Sequence, residues 1–245
     1  MNERSIGTFL ILTADDFGRS LAVNGAVEEA ARQGVLRCAS LMINGDAADD
    51  AVKVAKNIPS LQVALHLSLT EGNPVSPEQF IPSLLTRDGY FKGSPTRMGL
   101  ALQFDKAVQR HMEIEVAAQF RRFSETGLPF FHVDCHHHLH VHPRLFETVL
   151  ENSIKYGLKS IRIPYEPWDI SGPICKGHTI RNLCYRKVFT KLCSKCREKI
   201  RSAGLLSCQG VFGIYQSGQI TEDWILMLLD RLEAVSYTHL RAHET

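Results

Sequence analysis

Apolar positions along the chain fall in short runs separated by longer amphipathic stretches. Thr8-Phe9-Leu10-Ile11-Leu12-Thr13 does not alternate with polar residues, which predicts a strand buried on both faces. It stops at Ala14-Asp15-Asp16-Phe17-Gly18. Helical spacing then runs from about Val23 to Gln33 and is closed by Gly34. Ala39–Ile43 and Leu61–Leu67 predict the next two strands, with a helix over Ala47–Asn57 between them. Phe130–Cys135 and Ser160–Pro164 predict a fourth and a fifth strand. Helices are expected over Phe104–Thr126, stopped by Gly127-Leu128-Pro129, and over Leu145–Tyr156. Residues 71–100 are rich in Pro, Gly and Ser without clear periodicity. They read as a long loop over the strand ends, with a short helix or two.

Apolar strands alternating with helices predict an α/β fold with parallel strands covered by helices. The polar residues of interest sit where strands end, at Asp15, Asp16, His66 and a histidine cluster. A (β/α) barrel, distorted or incomplete, places its site there. A doubly wound sheet would do the same, but the chain lacks its glycine-rich phosphate loop. No internal repeat or low-complexity segment is present.

The 245 residues suit one large domain or two small ones, and the net charge of +2 is too small to imply nucleic acid as a partner. Seven cysteines, an odd number without a framework, argue for a reducing compartment. The N-terminus lacks the features of a signal peptide and no run approaches the length of a membrane span, so a cytoplasmic location is expected.

Six of the eleven histidines fall between Phe131 and Pro143. In an extended chain His132, Asp134, His136 and His138 would share a face, and imidazoles at a strand end suit a divalent metal. A solvated histidine-rich turn is the plainer alternative. Asp15 and Asp16 are adjacent carboxylates beside a buried segment, where they need a cation or an arginine unless they cap a helix. Asp16-Phe17-Gly18 also occurs as a kinase motif, but the other kinase motifs are missing. His66, alone on an apolar strand, gains weight from its position at a strand end. Together these features supply a carboxylate and two or more imidazoles, with a spare carboxylate as general base. They point to metal-assisted hydrolysis of a carbonyl compound.

Thr13-Ala14-Asp15-Asp16-Phe17-Gly18, Asn24, His66-Leu67-Ser68-Leu69-Thr70 and His132 to His140 resemble, in order and spacing, the YdjC-like carbohydrate deacetylases. The resemblance runs from about Leu10 to about Leu232. It implies a barrel-like fold and removal of the acetyl group from an N-acetylated sugar. It also implies one divalent ion, described as magnesium; the histidine ligands would also suit zinc or another transition metal. Carried over by motif, Asp15 is the general base, Asp16, His66 and His136 bind the metal, and Asp134 and His138 line or support the site. Arg162, at the end of the fifth strand, is expected to orient Asp15 or bind substrate.

Ile161–Pro167 and Val211–Gly218 resemble the hopanoid-biosynthesis-associated members, which implies an N-acetylglucosaminyl hopanoid substrate. Lys176–Arg201 carries nine Lys and Arg against one Glu, with Phe189, Leu192, Cys193, Cys196 and Ile200 on one helical face. Such a helix either lies on an anionic membrane through 181–201, at the inner membrane, or is an ordinary surface helix. Cys193 and Cys196 read as part of its apolar stripe. A homodimer is left open.

Relatives continue past a helix like Thr221–Leu232 into a strand ending in a His-Pro motif, whose histidine would be the general acid. Here 5–234 reads as the domain, and 235–245 has no clear periodicity and reads as a non-native tail. The expectation is a barrel without its last strand, weakly active or inactive, with His239 and His243 unassigned. The alternatives are another barrel metal hydrolase of the amidohydrolase or phosphoesterase type, or a metal- or sugar-binding protein without turnover. An amidohydrolase would carry His-x-His at the first strand, where this chain has Asp15-Asp16.

Overall fold

A computed structural model describes residues 9–175, 180–232 and 238–242. The chain runs β1 (Leu10–Phe17), α1 (Leu21–Gln33), β2 (Cys38–Leu41), α2 (Ala48–Lys56), β3 (Gln62–Leu67), α3 (Pro95–Phe104) and α4 (Lys106–Glu125). It continues through β4 (His132–Cys135), α5 (Pro143–Lys155), β5 (Ser160–Ile161), α6 (Trp168–Ser171), α7 (Ile180–Ser202), β6 (Val211–Phe212), α8 (Glu222–Leu232) and β7 (Thr238–Ala242). The strands form a seven-stranded parallel sheet in the order β5-β4-β3-β2-β1-β7-β6.

The α/β architecture is as the hydrophobic pattern predicts. The sheet curls without closing its ladder. Between β5 and β6 the edges are linked by backbone hydrogen bonds from Ile161 N to Leu206 O (3.0 Å) and from Val211 N to Tyr165 O (2.8 Å). The main core packs the strands against α1, α2, α4, α5 and α7. Trp224, Leu228 and Leu232 of α8 form a smaller cluster with Ile170 and Phe212.

Three local departures matter. The helix expected over Phe104–Thr126 is two helices, because Asp105 caps α4 with hydrogen bonds from Ala107 N and Val108 N (2.8 and 3.2 Å). The apolar stripe of α7 faces inward: Cys193, Cys196 and Ile200 are buried in the core, with Phe189 and Leu192 partly buried against it. Membrane contact through 181–201 therefore cannot use that face. The start of the basic segment, residues 176–179, lies outside the described residues, and none of the described helices is long and apolar enough to cross a membrane.

The third departure corrects the expectation of a sheet without its last strand. Thr238–Ala242 pairs in parallel with β1, from Leu10↔Thr238 to Ala14↔Ala242, and with β6. Ladder pairing uses backbone groups present in every non-proline residue, so a segment without a readable side-chain pattern can fill the slot. The expected domain start at Ser5 and the other residues of the expected tail, 235–237 and 243–245, fall outside the described residues.

Candidate active site

The site is built at the C-terminal ends of β1, β3, β4 and β5. Adjacent residues of a regular strand point to opposite faces, yet Asp15 and Asp16 both reach the centre. The register between β1 and β2 slips between Ala14 and Phe17, so β1 holds an extra residue there. Asp16 takes up the bend at φ 61°. Asp16, His137 and His138 are the three non-glycine residues with positive φ among those described, and all three border the site. Gly18 follows at φ 91°, where a Cβ would meet Met42 O at 2.9 Å. Its N–H donates to the buried Asn24 side chain (2.8 Å), which anchors the turn to α1.

Arg162 forms a two-point pair with Asp15, Nη1 to Oδ1 and Nη2 to Oδ2, both 2.8 Å. Its Nη2 also lies 2.9 Å from Asp134 Oδ2, which accepts from Ser40 Oγ at 2.6 Å. Asp134 Oδ1 takes a short hydrogen bond from His66 Nδ1. That fixes the ring so that His66 Nε2 points at Asp16 Oδ1, 3.1 Å away. His136 Nδ1 meets the same oxygen at 2.9 Å. The structure thus brings together all of Asp15, Asp16, His66, Asp134, His136 and Arg162.

The histidine cluster is not one face of a strand. β4 ends at Cys135, and the chain tightens into a 3₁₀ segment over His136–Val141 with a kink at His137 and His138. His136 is the member of the cluster that meets Asp16 Oδ1 through Nδ1. His132 bonds Ser160 Oγ at 2.7 Å, and His140 Nε2 donates to Arg162 O at 2.7 Å. Burial holds both of these imidazoles down to about 4, and therefore neutral. His138 is buried and lines the cavity outside the cluster.

Asp15, Asp16 and Asp134 are three buried carboxylates; the buried guanidinium of Arg162 pairs with Asp15 and Asp134, and the half-exposed Arg19 lies 3.6 Å from Asp16 Oδ2. Burial pushes Asp16 upward, but hydrogen bonds and charge from His136 and His66 outweigh it and hold its carboxyl far below the usual range. Burial opposes charge on His66, yet Asp134 and Asp15 pull it upward overall. The three carboxylates outnumber the buried positive charge of Arg162, and a divalent cation held by neutral imidazoles would offset the difference. His66 Nε2 is buried without a well-directed hydrogen bond. Ligand atoms of Asp16, His66 and His136 lie within 4.8 Å of one another. These residues fit a divalent ion.

A cavity of about 670 Å³ opens from Asp16 and His136 past His138 to Phe189, Leu192 and Tyr215. A second, of about 620 Å³, lies beyond Arg19 and Glu71, which line both. Arg19 and Glu71 were not legible as site residues, since they fall in a turn and in an aperiodic loop. Ser40 and His140 likewise gave no signal apart from their strand and cluster.

The sequence profile of the YdjC-like protein family matches residues 9–243. A carbohydrate deacetylase of Brevibacillus brevis is 41% identical over 160 residues, covering 65% of this chain and 59% of the relative. One from Geobacillus stearothermophilus is 39% identical over 159 residues, with the same shares. One from Thermoanaerobacter pseudethanolicus is 33% identical over 150 residues, 61% of this chain and 58% of the relative. The matches thus span about three fifths of the length of these curated relatives. A crystal structure of a proposed cellobiose-phosphate cleavage protein from Enterococcus faecalis V583 shares the fold. Its TM-score is 0.71 at 23% identity, over 98% of this chain and 82% of that one.

Proposed function

The chain belongs to the YdjC-like protein family, and on that premise we propose that it is a metal-dependent hydrolase removing the acetyl group from an N-acetylated sugar. The observation that carries the reading is the convergence of Asp16, His66 and His136 beside the Asp15–Arg162 pair, at the floor of an open cavity. The names of the three relatives supply the substrate class.

In this reading Asp16, His66 and His136 hold the ion, which is magnesium by family resemblance. When bound, such an ion polarises an acetyl carbonyl and acidifies water. Asp15 accepts a proton from the attacking water at its carboxylate. Arg162 aims that carboxylate through its two-point pair. Asp134 holds His66 in the tautomer whose Nε2 is free of a proton. His138 lines the cavity and contacts the sugar.

The finer proposal is that the sugar belongs to a glycolipid, N-acetylglucosaminyl hopanoid. The cavity wall of Phe189, Leu192, Ile214 and Tyr215 supports an apolar aglycone. A peripheral approach to the inner membrane from the cytoplasmic side would then use the outer face of α7, with Arg186, Lys187, Lys191 and Lys195. The test is acetate release from N-acetylglucosaminyl hopanoid and from di-N-acetylchitobiose. Release from the hopanoid at the higher kcat/KM is expected. Release from chitobiose alone keeps the deacetylase and removes the lipid, and release from neither turns the reading toward another hydrolase substrate.

A further inference from the structure

The two imidazoles at the centre are arranged alike. His66 turns Nε2 to Asp16 and Nδ1 to Asp134. His136 turns Nδ1 to Asp16, and on the opposite side of its ring Nε2 lies 3.3 Å from Glu71 Oε1. A neutral imidazole that gives one nitrogen to an ion carries its proton on the other, and that N–H then needs an acceptor. His66 has one in Asp134. His136 is buried, and its Nε2 has no well-directed hydrogen bond, so Glu71 is the carboxylate in reach.

The position of Glu71 is built rather than incidental. Its second oxygen is held by Arg19 Nη2 at 2.9 Å. Its backbone is held by Ser68 and Asn44: Ser68 Oγ and Asn44 Nδ2 donate to Glu71 O at 2.8 and 3.0 Å. The segment on either side is pinned to α4 by two fully buried side chains. Gln119 accepts from Ser68 N (3.1 Å) and donates to Ser68 O (2.7 Å). Glu115 accepts from Val75 N (3.0 Å) and Ser76 N (2.9 Å). Gly72, at φ 81°, turns so close to Asn44 that a Cβ would stand 2.6 Å from its carbonyl oxygen. Burying a carboxylate and an amide to fix one short loop suits a loop whose side chain has a task.

We propose that Glu71 is a positioning residue that fixes the tautomer and orientation of His136, as Asp134 does for His66. The inference rests on the reading of Asp16, His66 and His136 as the ion's ligands. Glu71 is not itself a ligand of that ion, because it meets the ring at the nitrogen turned away from Asp16.

Co²⁺ titration followed by visible absorption tests this, using the wild-type chain, Glu71→Ala, Glu71→Gln and Asp16→Asn. Glu71→Ala should bind Co²⁺ about 10–100-fold more weakly, with the metal-free unfolding midpoint unchanged. Glu71→Gln, which keeps an acceptor, should recover part of the loss. Wild-type affinity in Glu71→Ala would overturn the proposal. So would two ions per wild-type chain with the second lost in Glu71→Ala, since Glu71 would then be a ligand. A wild-type chain that binds no Co²⁺, or binding that survives Asp16→Asn, would overturn the ligand set itself and the role of Glu71 with it.

Discussion

Arg162 and Asp15 meet through two parallel hydrogen bonds of 2.8 Å, with both side chains 1% exposed. Arg162 is the largest fully buried side chain among the described residues. A planar fork facing a carboxylate fixes direction as well as charge. Arg162→Ala should leave Asp15 and Asp134 without their counter-charge and cost about 3–5 kcal/mol in urea unfolding. Arg162→Lys, which keeps the charge but not the fork, should recover part of that stability.

Asp15→Asn should lower the rate of acetate release by about a hundredfold to ten-thousandfold. Metal content should be unchanged, because Asp16, His66 and His136 remain. An unchanged rate with the ion still bound would remove Asp15 as base.

The strand ends and the Asp15, Asp16, His66 and His136 set were legible because each lies next to an apolar run that marks its strand. The division of labour among the histidines was not legible from the pattern and came only with the family resemblance. It depends on the positive φ of His137 and His138, which no alternation pattern encodes and which follows directly on His136, the ring that meets Asp16. Glu71 was hidden because the contacts that fix its loop come from Glu115 and Gln119 of α4, about forty to fifty residues further on. β7 was hidden because its place is set by unpaired backbone on β1 and β6 rather than by its own composition.

The apolar stripe of α7 belongs to the core. Burial pushes Cys193 and Cys196 up to about 12, so neither should react with a thiol reagent in the native protein. Both should react once it is unfolded. Ile200, 1% exposed, should cost roughly 2–5 kcal/mol as Ile200→Ala in urea unfolding.

Glu166 is buried where it accepts hydrogen bonds from Gly213 N (3.2 Å) and Tyr215 N (2.9 Å). Burial raises its carboxyl from 4.5 to about 7 in spite of them. The folded state therefore binds this proton more tightly than the unfolded chain. Its contribution to stability is full below 4.5 and is lost as pH rises through about 7. Unfolding midpoints between about pH 5 and pH 8 should fall in the wild type and fall less in Glu166→Gln.

In the proposed function, deacetylation depends on an ion held by Asp16, His66 and His136. Acetate release should be measured on chelator-treated protein and again after the ion is restored, for the wild type, Asp16→Asn and His66→Ala. The wild type should lose activity with chelator and regain it with the ion, while neither variant should regain it. Acetate release that persists in the chelated wild type, or that Asp16→Asn restores in full, would contradict that dependence.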